Sequence, residues 1–155
     1  MRLEEKIAQI LIKNKLTLST AESCTGGLLA HRLTNVPGSS NFFKLGLITY
    51  SNEAKAKSLK IPLVTLKKYG AVSYQTATAM AKNVRKAQKT DFGIGISGIA
   101  GPTGGTKAKP IGLVYICVAT QKESLCIECR FTGTRASIKQ QSSTEALNLL
   151  NQFIE

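Results

Sequence analysis

The sequence has one histidine, one aspartate and no tryptophan, and only 6% of its residues are aromatic. With so few His and Asp ligands, a hydrolytic metal site of the usual kind cannot be assembled, and no metal or cofactor is expected. Sparse aromatics without basic–aromatic interleaving offer no stacking platform for single strands, so a nucleic-acid partner is not expected. Four cysteines, at positions 24, 117, 126 and 129, are too few and too unevenly spread for a disulfide scaffold, which points to a reducing cytoplasm. Cys126-Ile-Glu-Cys129 has C-x-x-C spacing, but residues three apart on a strand face opposite sides. No apolar run approaches the ~20 residues of a membrane span, so neither a membrane segment nor an export signal is expected. Acidic residues are scarce as well, nine against 21 basic ones, for a net charge of +12. That excess suits a small anionic ligand such as a phosphate ester, while the basic run Lys82–Lys89 also reads as the solvated end of a helix.

What is present fits one domain over 1–155: 155 residues, 43% hydrophobic, are enough for one core and too few for two. Helical and strand-like segments alternate. Apolar residues at Leu3, Ile7, Ile10 and Leu11 predict a helix over 3–15, followed by a short strand over 16–21. A helix over 25–35, a loop at 37–40 and a strand over 42–50 come next. Ser51 is placed to cap a helix over 52–59, Pro62 to open another through Tyr69, and 73–89 reads as a third helix. A buried strand over 91–97, two strands at 111–120 and 124–131 joined by a short turn, and a helix over 134–155 complete the chain. The expected fold is α/β or α+β: a mixed β-sheet flanked by helices.

Two stretches carry chemistry. Thr20-Ala-Glu-Ser-Cys-Thr-Gly-Gly27 stands between a strand and a helix, so it predicts a sharp turn presenting the Ser23 hydroxyl beside amides that open the next helix. Free N–H groups at such a turn stabilise negative charge, and those of Cys24, Thr25, Gly26 and Gly27 are candidate oxyanion donors. The plainer alternative has Thr25 capping the helix and the glycines allowing close packing. His31, about 12 Å along the helix from Ser23, is poorly placed as its base. A lysine made less basic by burial is the available choice. Tyr50-Ser-Asn-Glu-Ala-Lys55 supplies a tyrosine at a strand end and a lysine one turn into a helix, although spacing alone does not single Lys55 out. The second stretch, Gly98-Ile-Ala-Gly-Pro-Thr-Gly-Gly-Thr106, follows a buried strand but lacks the Lys-Ser/Thr of a P-loop. It reads either as a ligand loop in which backbone N–H groups approach a phosphate or ring, or as a plain turn.

These stretches, with Gly46–Lys55, Gly70-Ala-Val-Ser73 and Lys109-Pro-Ile-Gly112, resemble the CinA C-terminal domain family in order across roughly residues 5–150. The resemblance implies a nicotinamide-nucleotide amidase, converting nicotinamide mononucleotide to nicotinate mononucleotide and ammonia. It implies Ser23 as nucleophile, Lys55 as general base and Tyr50 as the assisting hydroxyl. Gly98, Gly101, Gly104, Gly105 and Thr106 fall in the family's substrate loop, and Arg135 is the candidate for the substrate phosphate. It also implies a homo-oligomer. Three positions depart from the family pattern: Thr134 replaces the acid of Phe-x-Gly-Asp-Arg, Lys139 occupies the place of a second arginine, and Thr103 stands where glycine is commoner. The alternative from a different class is a non-catalytic nucleotide-binding or regulatory module linked to competence or DNA damage.

Overall fold

In a computed structural model describing all 155 residues, strands β1 (Leu18–Glu22), β2 (Phe43–Ile48), β3 (Phe92–Gly98), β4 (Leu113–Ala119) and β5 (Ser124–Arg130) form one sheet. The order is β2-β1-β3-β4-β5. β1 pairs in parallel with β2 and β3, while β3–β4 and β4–β5 are antiparallel. Six helices accompany it: α1 (Leu3–Lys13), α2 (Leu28–Thr34), α3 (Asn52–Leu59), α4 (Leu63–Tyr69), α5 (Tyr74–Gln88) and α6 (Arg135–Ile154). Every expected element is present, and the ends differ by a few residues. The fold is a mixed α/β domain.

Alternation along β3 sorts the two faces of the sheet. Phe92, Ile94 and Ile96 join Leu18, Val114, Ile116 and Val118 in the main core, which α1, α2 and α6 cover. The intervening positions are small. A Cβ added at Gly95 would lie 2.4 Å from the Ala77 carbonyl oxygen, and one at Gly93 would lie 2.2 Å from that of Ala81. The α5 backbone therefore settles directly on β3. Around that contact, α3, α4 and α5 bury Leu59, Leu66, Met80 and Val84 on the second face. Local chemistry sets the helix starts on this side. Ser51 Oγ accepts from the Ala54 amide at the head of α3, and Ser73 Oγ from the Thr76 amide at the head of α5.

The connection from β1 to β2 runs over one face through α2, and that from β2 to β3 over the other through α3, α4 and α5. The crevice where such connections diverge, at the carboxyl ends of the strands, is where open α/β sheets hold ligands. Ser23 stands there, the first residue past β1.

Candidate active site

Ser23 is fixed by its own backbone, whose N–H donates to the Ile96 carbonyl of β3 at 3.0 Å. The turn that follows departs from the expected helix. Gly26 has φ +60° and Gly27 φ +100°, left-handed values that stop the helix from beginning at Thr25 and delay it to Leu28. Thr25 does not cap it: its hydroxyl is buried and has no hydrogen-bond partner. The cap comes from upstream. The Glu22 carboxylate, 1% exposed, accepts from the Leu29 amide at 2.9 Å and the Ala30 amide at 3.1 Å. Glu22 was missed in the sequence reading, where the available signal was an acid inside an otherwise uncharged motif. Within the turn, Gly26 N donates to Ser23 O, whereas the amides of Cys24, Thr25 and Gly27 have no partner in the protein. Unpaired amides one to four residues past a hydroxyl are the supply an oxyanion needs.

Lys55, in the first turn of α3, is buried to 1% exposure. Its Nζ donates to Ser23 Oγ at 3.0 Å and to the Thr49 carbonyl at 2.8 Å. No carboxylate pairs with it, and burial holds the ammonium below the ordinary lysine range. Lys55 thus meets both conditions of a lysine base, contact with the hydroxyl and lowered basicity. Cys24 is its opposite. Burial pushes that thiol up to about 12, so the turn's sulfur stays protonated and inert.

Tyr50 stands apart from the pair. It is 59% exposed, and its hydroxyl accepts from Arg135 Nη2 at 2.8 Å rather than bridging Ser23 and Lys55. Arg135 opens α6 and sends its other nitrogen, Nη1, to the Gly101 carbonyl at 2.6 Å. Thr134, in place of the family's acid, caps this helix through its Oγ1, which accepts from the Ser137 amide. Together Ser23, Cys24, Tyr50, Arg135 and the loop residues Gly98, Gly101, Thr103 and Gly104 line a cavity of about 250 Å³.

Five residues expected at the ligand, Thr25, Gly26, Gly27, Gly105 and Thr106, do not line this cavity. Thr106 Oγ1 accepts from the Lys109 amide within its own exposed loop, and Gly105 packs against Ile111. Gly27 is covered by the Ile48 side chain. Lys139, one turn after Arg135 on α6, reaches close to Gly26, with its Nζ 3.5 Å from where a Cβ would stand there. His31 points away to Asn35 on the surface of α2. Cys126 and Cys129 face opposite sides of the sheet, the former opposed to Cys117 on β4.

A model of the CinA C-terminal domain matches residues 1–154. The chain belongs to that family. It is 49% identical over 152 residues to a protein of Thermoanaerobacter sp. (strain X514) provisionally named competence-damage inducible, and 51% over 150 residues to its counterpart in Clostridium novyi (strain NT). These alignments cover 98% and 97% of the chain but only 37% and 36% of the relatives, so the chain spans little more than a third of their length. Among solved structures, the competence or damage-inducible protein of Enterobacter asburiae superposes with a TM-score of 0.95 at 34% identity. That match covers 99% of this chain and 96% of the other. The competence/damage inducible protein CihA of Agrobacterium tumefaciens gives a TM-score of 0.93 at 37% identity, covering 100% and 98%. Such family members share the fold on which Ser23, Lys55 and Arg135 meet.

Proposed function

We propose that this chain is a serine–lysine amidase acting on nicotinamide mononucleotide. The observation that carries the reading is the buried 3.0 Å contact between Lys55 Nζ and Ser23 Oγ, free of any competing carboxylate. In its neutral form Lys55 takes the Ser23 proton as Oγ attacks the carboxamide carbon. The carbonyl electrons move to oxygen, and the oxyanion is held by amides of the Cys24–Gly27 turn. The lysine ammonium then gives its proton to the carboxamide nitrogen, the C–N bond breaks and ammonia leaves. Water, deprotonated by the same lysine, attacks the acyl-serine. Nicotinate mononucleotide departs, and the proton held by Lys55 returns to Ser23.

Tyr50 and Arg135 act at the rim in this reading. Because Tyr50 accepts from Arg135, its own O–H proton is free to donate to substrate. Arg135 exchanges its neutral partners, Tyr50 OH and Gly101 O, for the charged phosphate, with which its bidentate hydrogen bonds are stronger.

The test is release of ammonia and nicotinate mononucleotide from nicotinamide mononucleotide in the presence of a chelator, for the parent and for Ser23→Ala. Chelator-resistant turnover by the parent and none by the variant is the expected result. A parent that binds the nucleotide without turning it over would leave a binding module instead.

A further inference from the structure

A larger hollow lies at the opposite pole of the sheet. A cleft of about 980 Å³ runs between the end of α5 and the turn joining β4 to β5, bordered by Leu16 and Phe92 at the starts of β1 and β3. A second hollow of about 400 Å³ continues it, sharing Arg85, Lys86, Thr120, Gln121 and Lys122. Five residues of β1 separate this groove from Ser23, about 17 Å at the rise of a strand. It is therefore independent of the catalytic cavity and of the amidase reading.

The cations here are arranged, not scattered. Lys82, Arg85 and Lys86 fall at i, i+3 and i+4 of α5, Lys89 follows as its left-handed C-cap (φ 53°), and Lys122 faces them from the other wall. None of the five forms an ion pair. Asp91 is already committed, since its Oδ2 accepts from both the amide and the hydroxyl of Thr17. Glu123 is then the only other acid on the groove. Complementing the helix end does not account for them: the carboxyl pole of a helix carries roughly half an elementary charge, and four cations exceed it several-fold. Between the charged walls stand the polar groups of Gln121 and Ser124, while the Thr90 and Thr120 hydroxyls are bonded within the protein, and the one lining aromatic, Phe92, is buried and offers a base no open face on which to stack.

We infer that this groove is a binding site for a linear oligophosphate, the chain of a nucleoside triphosphate or its inorganic equivalent, laid along the α5 cations and closed over by Lys122. Recognition rests on the clustered cations, so the phosphates are read and the rest of the molecule is not.

Inorganic tripolyphosphate is the probe, titrated calorimetrically at near-physiological salt, where diffuse attraction to a basic protein is largely screened. The parent is compared with Lys86→Gln/Lys122→Gln and with Lys67→Gln/Lys68→Gln, an equal loss of charge on exposed positions of α4. The groove pair is expected to weaken binding by about tenfold, two exposed ion pairs' worth, and the α4 pair by less than about twofold. Equal losses from the two pairs, or no loss from the groove pair, overturn the site, the latter because the anion would then be seated elsewhere, as at Arg135. So does absence of binding at that salt. A short DNA duplex that binds the parent more tightly than tripolyphosphate overturns it too, in favour of a nucleic-acid surface.

Discussion

At the residue scale the decisive atom is Lys55 Nζ. Holding this amine in the interior lowers its proton affinity in the folded state below the 10.5 of a free lysine. Between the lowered value and 10.5 the unfolded chain binds more protons than the folded one, so stability rises with pH across that window. Lys55→Met lacks the titration, and the melting temperature of the parent is expected to gain on that of the variant as pH climbs toward 10.5. Thermal unfolding of both proteins over a pH series checks it, and a constant difference would sink it. Under the proposed mechanism catalysis responds through the same group: the rate constant is expected to fall as pH drops through the Lys55 titration, and Lys55→Arg, which cannot lose its proton, is expected to lose about a thousandfold in turnover. Iodoacetamide under native conditions gives the complementary result, since the buried, protonated Cys24 is expected to stay unmodified while turnover persists.

Within single elements, the sequence was legible where one residue decides the outcome. Ser51 heads its helix as its position ahead of a helical pattern predicts, Ser73, expected as the first residue of its helix, proves to be the cap, and Gly70 follows the last turn of α4. The start of α2 was misread because two left-handed glycines, not a hydroxyl, fix its position, and because its cap is a carboxylate five residues before Gly27. Glu22→Ala is expected to cost about 3 kcal/mol, from two buried amides left without a charged acceptor. It should also lower turnover by loosening the Ser23 turn, and Glu22→Gln, which keeps one acceptor oxygen, should recover part of both. Denaturant titration and turnover of the two variants decide this. β3 carries a constraint of a different kind. Gly95→Ala drives a methyl group into the α5 backbone and is expected to destabilise the fold by about 3 kcal/mol, measured by urea unfolding. Nothing in the local sequence announces that contact, because the obstructing atoms belong to a helix that precedes the strand.

For the whole molecule, long-range pairing sets the limit of what can be read from sequence. Ser23 and Lys55 are 32 residues apart, and elimination of histidine and metal pointed to a lysine without saying which. Family resemblance supplied the choice, and the parallel β1–β2 pairing explains it by bringing Thr49 and the start of α3 beside the end of β1. The Arg135 link to Tyr50 spans 85 residues and had no local signature. Charge acts at this scale too. With 21 basic residues against nine acidic ones, repulsion outweighs the five ion pairs, of which only Arg32–Glu4 is shielded from solvent. Raising sodium chloride from low to near-physiological concentration is therefore expected to raise the melting temperature, followed by calorimetry. A fall would mean that the ion pairs dominate.

The placing of α6 bears on how the molecule is made. Ile138, Ala146, Leu147, Leu149 and Leu150 close the apolar layer that α1 and β1 begin, and Arg135 at the head of the same helix clamps the glycine-rich loop at Gly101. On the ribosome this stretch is delivered after every strand of the sheet. A nascent chain at that stage displays an open hydrophobic face to chaperones and has no latch on its glycine-rich loop, and α6 supplies the cover and the latch together.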